Sequence, residues 1–219
     1  MIPNLKNYSL IELDLSDNQI SGEIPNWIWE VVCFNLNLSH NSLVGFQEPY
    51  SILNLRFLDL HSNQLQGKIP LPPPEAAIVD YSSNNFTSIP DDIGNVAYNM
   101  AFFSVSNNKL TSVIPESLCN ATWLQVLDLS SNNLSGRIPT CLFEMGNSLG
   151  VLNIRRNSLY GTLPEKFPGY CGLQTLSLNG NQLEGMVPKS WEQQDQRCLP
   201  MLVKEGLQFA CPGFTIQQI

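Results

Sequence analysis

The sequence has few charged residues, few basic residues in particular, and no long apolar run. Charged residues make up 14% of the 219, and 11 Lys and Arg against 19 Asp and Glu give a formal net charge of −8. A chain of this sign lacks the basic footprint that binding to nucleic acid or to an anionic membrane surface requires. No apolar stretch approaches the roughly 18–20 residues of a membrane-spanning helix. These classes of function are therefore disfavoured.

The sequence also lacks the motifs of common catalytic and metal sites. It contains no Cys-x-x-Cys pair, no glycine-rich phosphate loop and no ordered set of Ser, His and Asp. Only two histidines occur, His40 and His61, and zinc takes three or four ligands. We therefore expect a protein that is not an enzyme and holds no cofactor or metal, with both histidines on the surface.

What the sequence does contain is one phrase that recurs eight times. Residues 124–139 (LQVLDLSSNNLSGRIP) show it: apolar residues at fixed spacing, one asparagine, then Ser-Gly-x-Ile-Pro. The recurring asparagines, called here the ladder asparagines, follow one another at intervals of 21 to 25 residues. A period in the twenties with this spacing is the signature of the leucine-rich repeat. The ladder asparagines are Asn18, Asn41, Asn63, Asn84, Asn108, Asn132, Asn157 and Asn181.

Each repeat is predicted to form one coil of a solenoid. Leu127 and Leu129 lie two residues apart on a predicted strand, so they point into the core while Val126 and Asp128 point outward. A buried asparagine can bond to the backbone where each coil leaves its strand. Three residues after the proline comes an apolar residue, which indicates a short 3-10 or α turn on the convex side. These residues are Ile28, Ile93, Leu118, Leu142, Phe167 and Trp191.

The predicted fold is therefore one leucine-rich-repeat solenoid, mostly parallel β, with about eight repeats over residues 1–190. At the third coil, three prolines follow Leu71 and exclude a helix, so a short extended connection is expected there. The phrase stops at Trp191, and residues 191–219 are expected to be a divergent tail without predicted regular structure.

The repeat motif is specific enough to resemble one family, the plant leucine-rich-repeat receptor-like proteins of the Verticillium-wilt-resistance type. The matching segments are residues 18–31, 58–74, 79–95, 114–142 and 171–190. The resemblance implies a right-handed curved coil with a parallel sheet on its concave side and a shorter second sheet after it. It also implies recognition of an extracellular protein or peptide ligand at the plasma membrane, with signalling through a partner kinase in the intact protein.

The family pattern includes a signal peptide, many more repeats and a membrane span, none of which we expect within these 219 residues. After Ser190 the family continues Leu-x-x-Cys, where this chain has Trp191. We therefore expect a truncated product or a mis-joined gene, which sequencing the transcript across codon 190 tests. Two alternatives stay open: a secreted inhibitor of a pathogen cell-wall-degrading enzyme, which shares this repeat, and an inactive fragment. The missing amino-terminal cap disfavours the inhibitor.

Alternation along each strand places three columns of side chains on the concave face. In five repeats the residue six positions before the ladder asparagine is apolar, and these residues form a stripe of five rungs, about 20 Å long at 4.8 Å per rung. The residues four positions before the ladder asparagines form an acidic column. An apolar patch rimmed by polar groups suits a ligand, although such residues also simply favour strands. The predicted ligand-binding residues are Phe57, Asp59, His61, Ile78, Asp80, Phe102, Ser104, Val126, Asp128, Val151 and Arg155.

Two charged features of this face have alternative interpretations. Neighbouring carboxylates could serve as a general acid and base or as a cation site, but the column alternates with Asn and Ser, which favours a solvated polar face. Arg155 and Arg156 loosely resemble the arginine pairs with which plant peptide receptors hold a ligand's terminal carboxylate. Adjacent strand residues point in opposite directions, however, which argues against that role.

The cysteines and the glycosylation signals indicate an oxidising, secretory compartment, and any leader is then expected upstream. Cys119 and Cys141 fall on the convex side of successive coils and are predicted to form a disulfide, the alternative being two buried thiols. By resemblance, Cys171 pairs with a cysteine missing from this chain. Cys33 is expected to be a core thiol, and Cys198 could pair with Cys211. Asn-x-Ser/Thr signals occur at Asn7, Asn37, Asn85, Asn120 and Asn133.

Overall fold

The computed structural model describes residues 10–30, 34–52, 55–145, 148–165 and 173–186, and the backbone of 202–203 and 206–210. Each of the eight repeats contributes one three-residue strand to a parallel sheet on the concave side. The core leucines are in register from coil to coil, as in the pair Leu13 and Leu36. These strands are β1 (Glu12–Asp14), β3 (Asn35–Asn37), β5 (Phe57–Asp59), β7 (Ile78–Asp80), β9 (Phe102–Ser104), β10 (Val126–Asp128), β11 (Val151–Asn153) and β13 (Thr175–Ser177). The predicted solenoid is confirmed.

A second layer of short parallel strands follows the first, as the resemblance implied. It is divided into two-stranded sheets: β2 with β4, β6 with β8, and β12 with β14. Val113 and Ser135 add an isolated parallel bridge between the fifth and sixth coils. The strands are β2 (Ser21–Ile24), β4 (Ser42–Phe46), β6 (Gln66–Lys68), β8 (Asn85–Ser88), β12 (Tyr160–Thr162) and β14 (Gln182–Glu184).

The convex side is built from single turns of helix. The 3-10 turns Asn26–Glu30 and Glu116–Asn120 and the helices α1 (Ile93–Val96) and α2 (Cys141–Glu144) occupy four coils. The apolar residue predicted at each of these turns is buried: Ile28, Ile93, Leu118 and Leu142. The segment after Leu71 has no helix. Phe167 and Trp191 lie outside the described residues, and no described helix is long and apolar enough to cross a membrane.

The region after the last repeat also contributes to the concave sheet. Strands β15 (Leu202–Val203) and β16 (Gly206–Ala210) pair with each other in antiparallel fashion. Strand β16 also pairs antiparallel with β13, opposite Thr175 to Ser177. An unpaired strand edge exposes N–H and C=O groups, so β16 supplies backbone partners to the edge that the eighth repeat would otherwise present.

The ladder asparagines connect each coil to the one before it. The Oδ1 of Asn84 accepts a hydrogen bond from the backbone N–H of Leu65 at 3.0 Å. Its Nδ2 donates to the carbonyl of Leu60 at 2.9 Å and to its own coil at Ser82. Asn41, Asn63, Asn108, Asn132, Asn157 and Asn181 make the same two bonds to the preceding coil. The asparagines therefore satisfy backbone groups that the turn leaves unpaired.

Candidate functional site

The apolar stripe consists of Phe57, Ile78, Phe102, Val126 and Val151, one residue from each of five successive strands. These five are direct partners in the strand pairing from β5 to β11. Ile78 is 39% exposed, and the other four are half-buried. The stripe is therefore a continuous, solvent-accessible apolar ridge that runs across the strands.

Beside the stripe lies the acidic column, two residues further along each strand. Asp59 and Asp80 are direct partners between β5 and β7. Asp59, Asp80 and Asp128 each accept a bond from the backbone N–H two residues later, at 2.8–2.9 Å. These bonds anchor one oxygen of each carboxylate at the start of the turn.

Two carboxyl groups of the column have shifted pKa values of opposite sign. Hydrogen bonds from Ser16, first from its hydroxyl and then from its backbone N–H, lower the pKa of Asp14. Burial is the main cause that raises the pKa of Asp80, and the neighbouring charge of Asp59 raises it further. Bonds from Ser82 and the proximity of His61 act in the opposite direction. The centre of the column is therefore the place where added negative charge is least favourable.

The two histidines contact each other, which the sequence did not predict. The Nε2 atoms of His40 and His61 are 2.8 Å apart, and the rings meet edge to face with centroids 4.4 Å apart. The other ring nitrogen of His61, Nδ1, lies 2.7 Å from Oδ1 of Asp59. The contact arises because the residue before each ladder asparagine has a positive φ, and His40 at φ 52° is brought alongside the next coil.

That left-handed position is shared by every described coil. The residues are Asp17, His40, Ser62, Ser83, Asn107, Ser131 and Arg156, with φ of 52–56°, and Gly180, with φ of 72°. Positive φ is unusual outside glycine and asparagine. The one signal for it in the sequence was the mixture of Asp, Asn, Ser and Gly in this column, which is also an ordinary turn composition.

Two of the predicted ligand-binding residues, Ser104 and Arg155, are at most partly accessible to solvent. Ser104 is only 4% exposed, because its short side chain lies in register between the longer Asp80 and Asp128. It is a spacer in the column and offers little surface. Arg155 is half-buried, and its Nε has no hydrogen-bond partner among the residues that the structure describes. Arg156 is exposed at the left-handed turn, so the two arginines are not a matched pair.

The predicted modification sites are distributed over several surfaces. Cys119 and Cys141 are joined in a disulfide with their Cα atoms 5.9 Å apart. Asn37 lies on the concave face between Asp14 and Asp59, and its Oδ1 accepts bonds from Ser39. Asn120 and Asn133 are exposed, and Asn85 is half-buried in β8. Asn7, Cys33, Cys171, Cys198 and Cys211 lie outside the described residues.

Comparison with known proteins agrees with this architecture. The family described as Leucine Rich Repeat matches residues 9–31, 54–74, 99–121, 123–145 and 172–193, half of the chain. Receptor-like protein 7 of Arabidopsis thaliana is 38% identical over 143 residues, which is 63% of this chain and 12% of that protein. The chain thus spans about an eighth of the length of this relative.

Two solved plant receptor structures have the same fold. The peptide hormone receptor RGFR1, in complex with RGF2, has 32% identity and a TM-score of 0.74 over 85% of this chain and 30% of that one. The ectodomain of GASSHO1/SCHENGEN3 from Arabidopsis thaliana, in complex with CASPARIAN STRIP INTEGRITY FACTOR 2, has 31% identity and a TM-score of 0.75 over 84% and 23%. By its repeats and its fold, this chain belongs to the leucine-rich-repeat family and is similar to plant receptor-like proteins.

Proposed function

We propose that this chain is a non-catalytic, extracellular recognition module of a plant cell-surface immune receptor, and that it binds an extended peptide along the apolar stripe. In the intact receptor, ligand capture is passed on through a partner kinase. The observation that carries the proposal is the stripe itself: five apolar residues in register, accessible to solvent and bordered by carboxylates.

The dimensions and the chemistry of the face define the ligand. A stripe of about 20 Å accommodates roughly six residues of extended peptide at 3.3 Å per residue. Apolar side chains of the peptide pack on Phe57 and Phe102, and basic groups lie toward Asp59 and Asp80. A terminal carboxylate suits the other end, where the half-buried guanidinium group of Arg155 carries a positive charge. Charge complementarity of this kind selects the partner and its orientation.

The similar solved receptors support this assignment. RGFR1 is a plant peptide hormone receptor in complex with RGF2, and the leucine-rich-repeat ectodomain of GASSHO1/SCHENGEN3 is in complex with CASPARIAN STRIP INTEGRITY FACTOR 2. The relatives called receptor-like proteins support an extracellular location at the plasma membrane. The immune role and the partner kinase follow from the resemblance to wilt-resistance receptors and are part of the proposal.

The test uses peptides recovered from plant extracellular fluid on the immobilised full chain, identified by mass spectrometry and resynthesised. The Phe57→Ser/Phe102→Ser double variant should bind the recovered peptide at least tenfold more weakly, because each buried aromatic contact contributes about 1–2 kcal/mol. The matched control is Trp123→Ser, which removes an exposed aromatic ring that is not part of the stripe. Calorimetry measures both affinities, and equal binding by the double variant and the control would refute the proposal.

Two further experiments test whether Arg155 binds the terminal carboxylate of the peptide and whether the chain is instead an enzyme inhibitor. Arg155→Gln should weaken binding of a peptide with a free terminal carboxylate and leave its amidated form unchanged. Inhibition of a fungal polygalacturonase by the chain, without peptide capture, would indicate the secreted inhibitor instead.

A further inference from the structure

We propose that Asp59, His61 and Asp80 form a binding site for one divalent transition-metal ion of the zinc class. The three residues lie on adjacent coils of the concave face, and their ligand atoms are within 4.8 Å of one another. The site stands independently of peptide binding. It departs from the expectation that the two surface histidines hold no metal.

The spacing is close to that of a bound ion. At bond lengths of about 2.1 Å, neighbouring ligand atoms of tetrahedral Zn²⁺ are about 3.4 Å apart. Rotation of half-buried Asp and His side chains covers the difference, since all three are partly accessible. One imidazole nitrogen and two carboxylate oxygens suit Zn²⁺, Co²⁺ or Mn²⁺, and the open side of the site leaves room for water.

The orientation of His61 favours coordination through Nδ1. This atom faces Oδ1 of Asp59 at 2.7 Å, whereas Nε2 contacts Nε2 of His40 at 2.8 Å. An ion on Nδ1 requires the proton of His61 on Nε2, and the 2.8 Å contact allows Nε2 to donate it to Nε2 of His40. His40 thereby supplies the outer hydrogen-bond partner that ligating histidines nearly always have.

The charges at this position also distinguish it from the rest of the column. Asp59 and Asp80 are direct partners on adjacent strands, and among the described residues neither forms an ion pair with Lys or Arg. Asp128, by contrast, has Ser104 and Asn153 as its strand partners, and Nδ2 of Asn153 donates to it at 3.1 Å. A cation would offset the repulsion between the first two carboxylates, and no such repulsion exists at Asp128.

The test is calorimetric titration of the full chain with Zn²⁺ at pH 7, after removal of any affinity tag and alkylation of free thiols. One equivalent should bind saturably. His61→Phe and Asp80→Asn should each weaken binding at least tenfold, and His40→Phe by a smaller factor through loss of the outer partner. Asp128→Asn is the matched control and should bind as the wild type does. Unaltered circular dichroism spectra establish that each variant is folded.

Co²⁺ provides a second readout that does not depend on affinity. The sequence has only two histidines, so the ring proton signals of His40 and His61 are distinguished by the His40→Phe variant. Co²⁺ should shift or broaden the His61 signals at one equivalent and give no thiolate charge-transfer band. Absence of saturable Zn²⁺ binding, equal affinity in His61→Phe, or unperturbed His61 signals would each overturn the proposal.

Discussion

The ladder asparagines give the sharpest prediction about stability. Asn84→Ala removes the acceptor for the Leu65 N–H and one donor to the Leu60 carbonyl. Leu65 is fully buried, so water does not replace the lost partner. An unpaired buried backbone group costs roughly 1–3 kcal/mol, and the lost bond to the Leu60 carbonyl, which keeps a bond from Asn63, adds about 1 kcal/mol. We therefore expect a loss of about 2–4 kcal/mol in the free energy of unfolding.

Asn18→Ala is the matched control, because Asn18 is exposed and, among the residues that the structure describes, donates only within its own coil, to Leu15 and Ser16. It should cost about 1 kcal/mol or less. Urea unfolding followed by circular dichroism gives both values. Hydrogen exchange of the peptide that contains Leu65 should accelerate roughly 30- to 700-fold in Asn84→Ala, the equivalent of 2–4 kcal/mol. Equal urea midpoints for the two variants would show that the bonds between coils add no more to the free energy of unfolding than the bonds within a coil.

Two further predictions concern the convex side. Replacing Cys119 and Cys141 together by Ser opens a loop of 22 residues and should cost roughly 3 kcal/mol in the chain-entropy model, lowering the melting temperature by about 6–12 °C; an unchanged melt would contradict it. In Gly94→Ala, the added Cβ would overlap the backbone of Ser117 in the next coil, so the variant should lose about 3 kcal/mol or more in urea unfolding. Gly67→Ala meets no neighbour and bears only the strain of φ 87°, about 1–2 kcal/mol; a larger loss at Gly67 than at Gly94 would refute this argument.

The repeat made much of this architecture predictable from the sequence. Leucines two residues apart on a strand both point into the core, since alternate side chains share a face. The ladder asparagines, the buried Ile93 and Leu118 on the convex side, and the order of the apolar stripe all follow from position within a coil. The same counting placed Cys119 and Cys141 on neighbouring turns.

The position of a residue within its repeat does not predict which side chains of neighbouring coils contact each other. The meeting of His40 with His61, the small exposure of Ser104 and the unpartnered Nε of Arg155 each depend on how neighbouring side chains of different length lie beside one another. The sequence by itself thus determined the coil, its period and the faces of its strands, because short-range periodicity specifies them. The sequence also placed Asp59 and Asp80 in one column. Only the tertiary structure turned His61 toward Asp59 and brought His40 beside it, because these contacts depend on the left-handed turn and on the register of stacked coils, which no single repeat encodes.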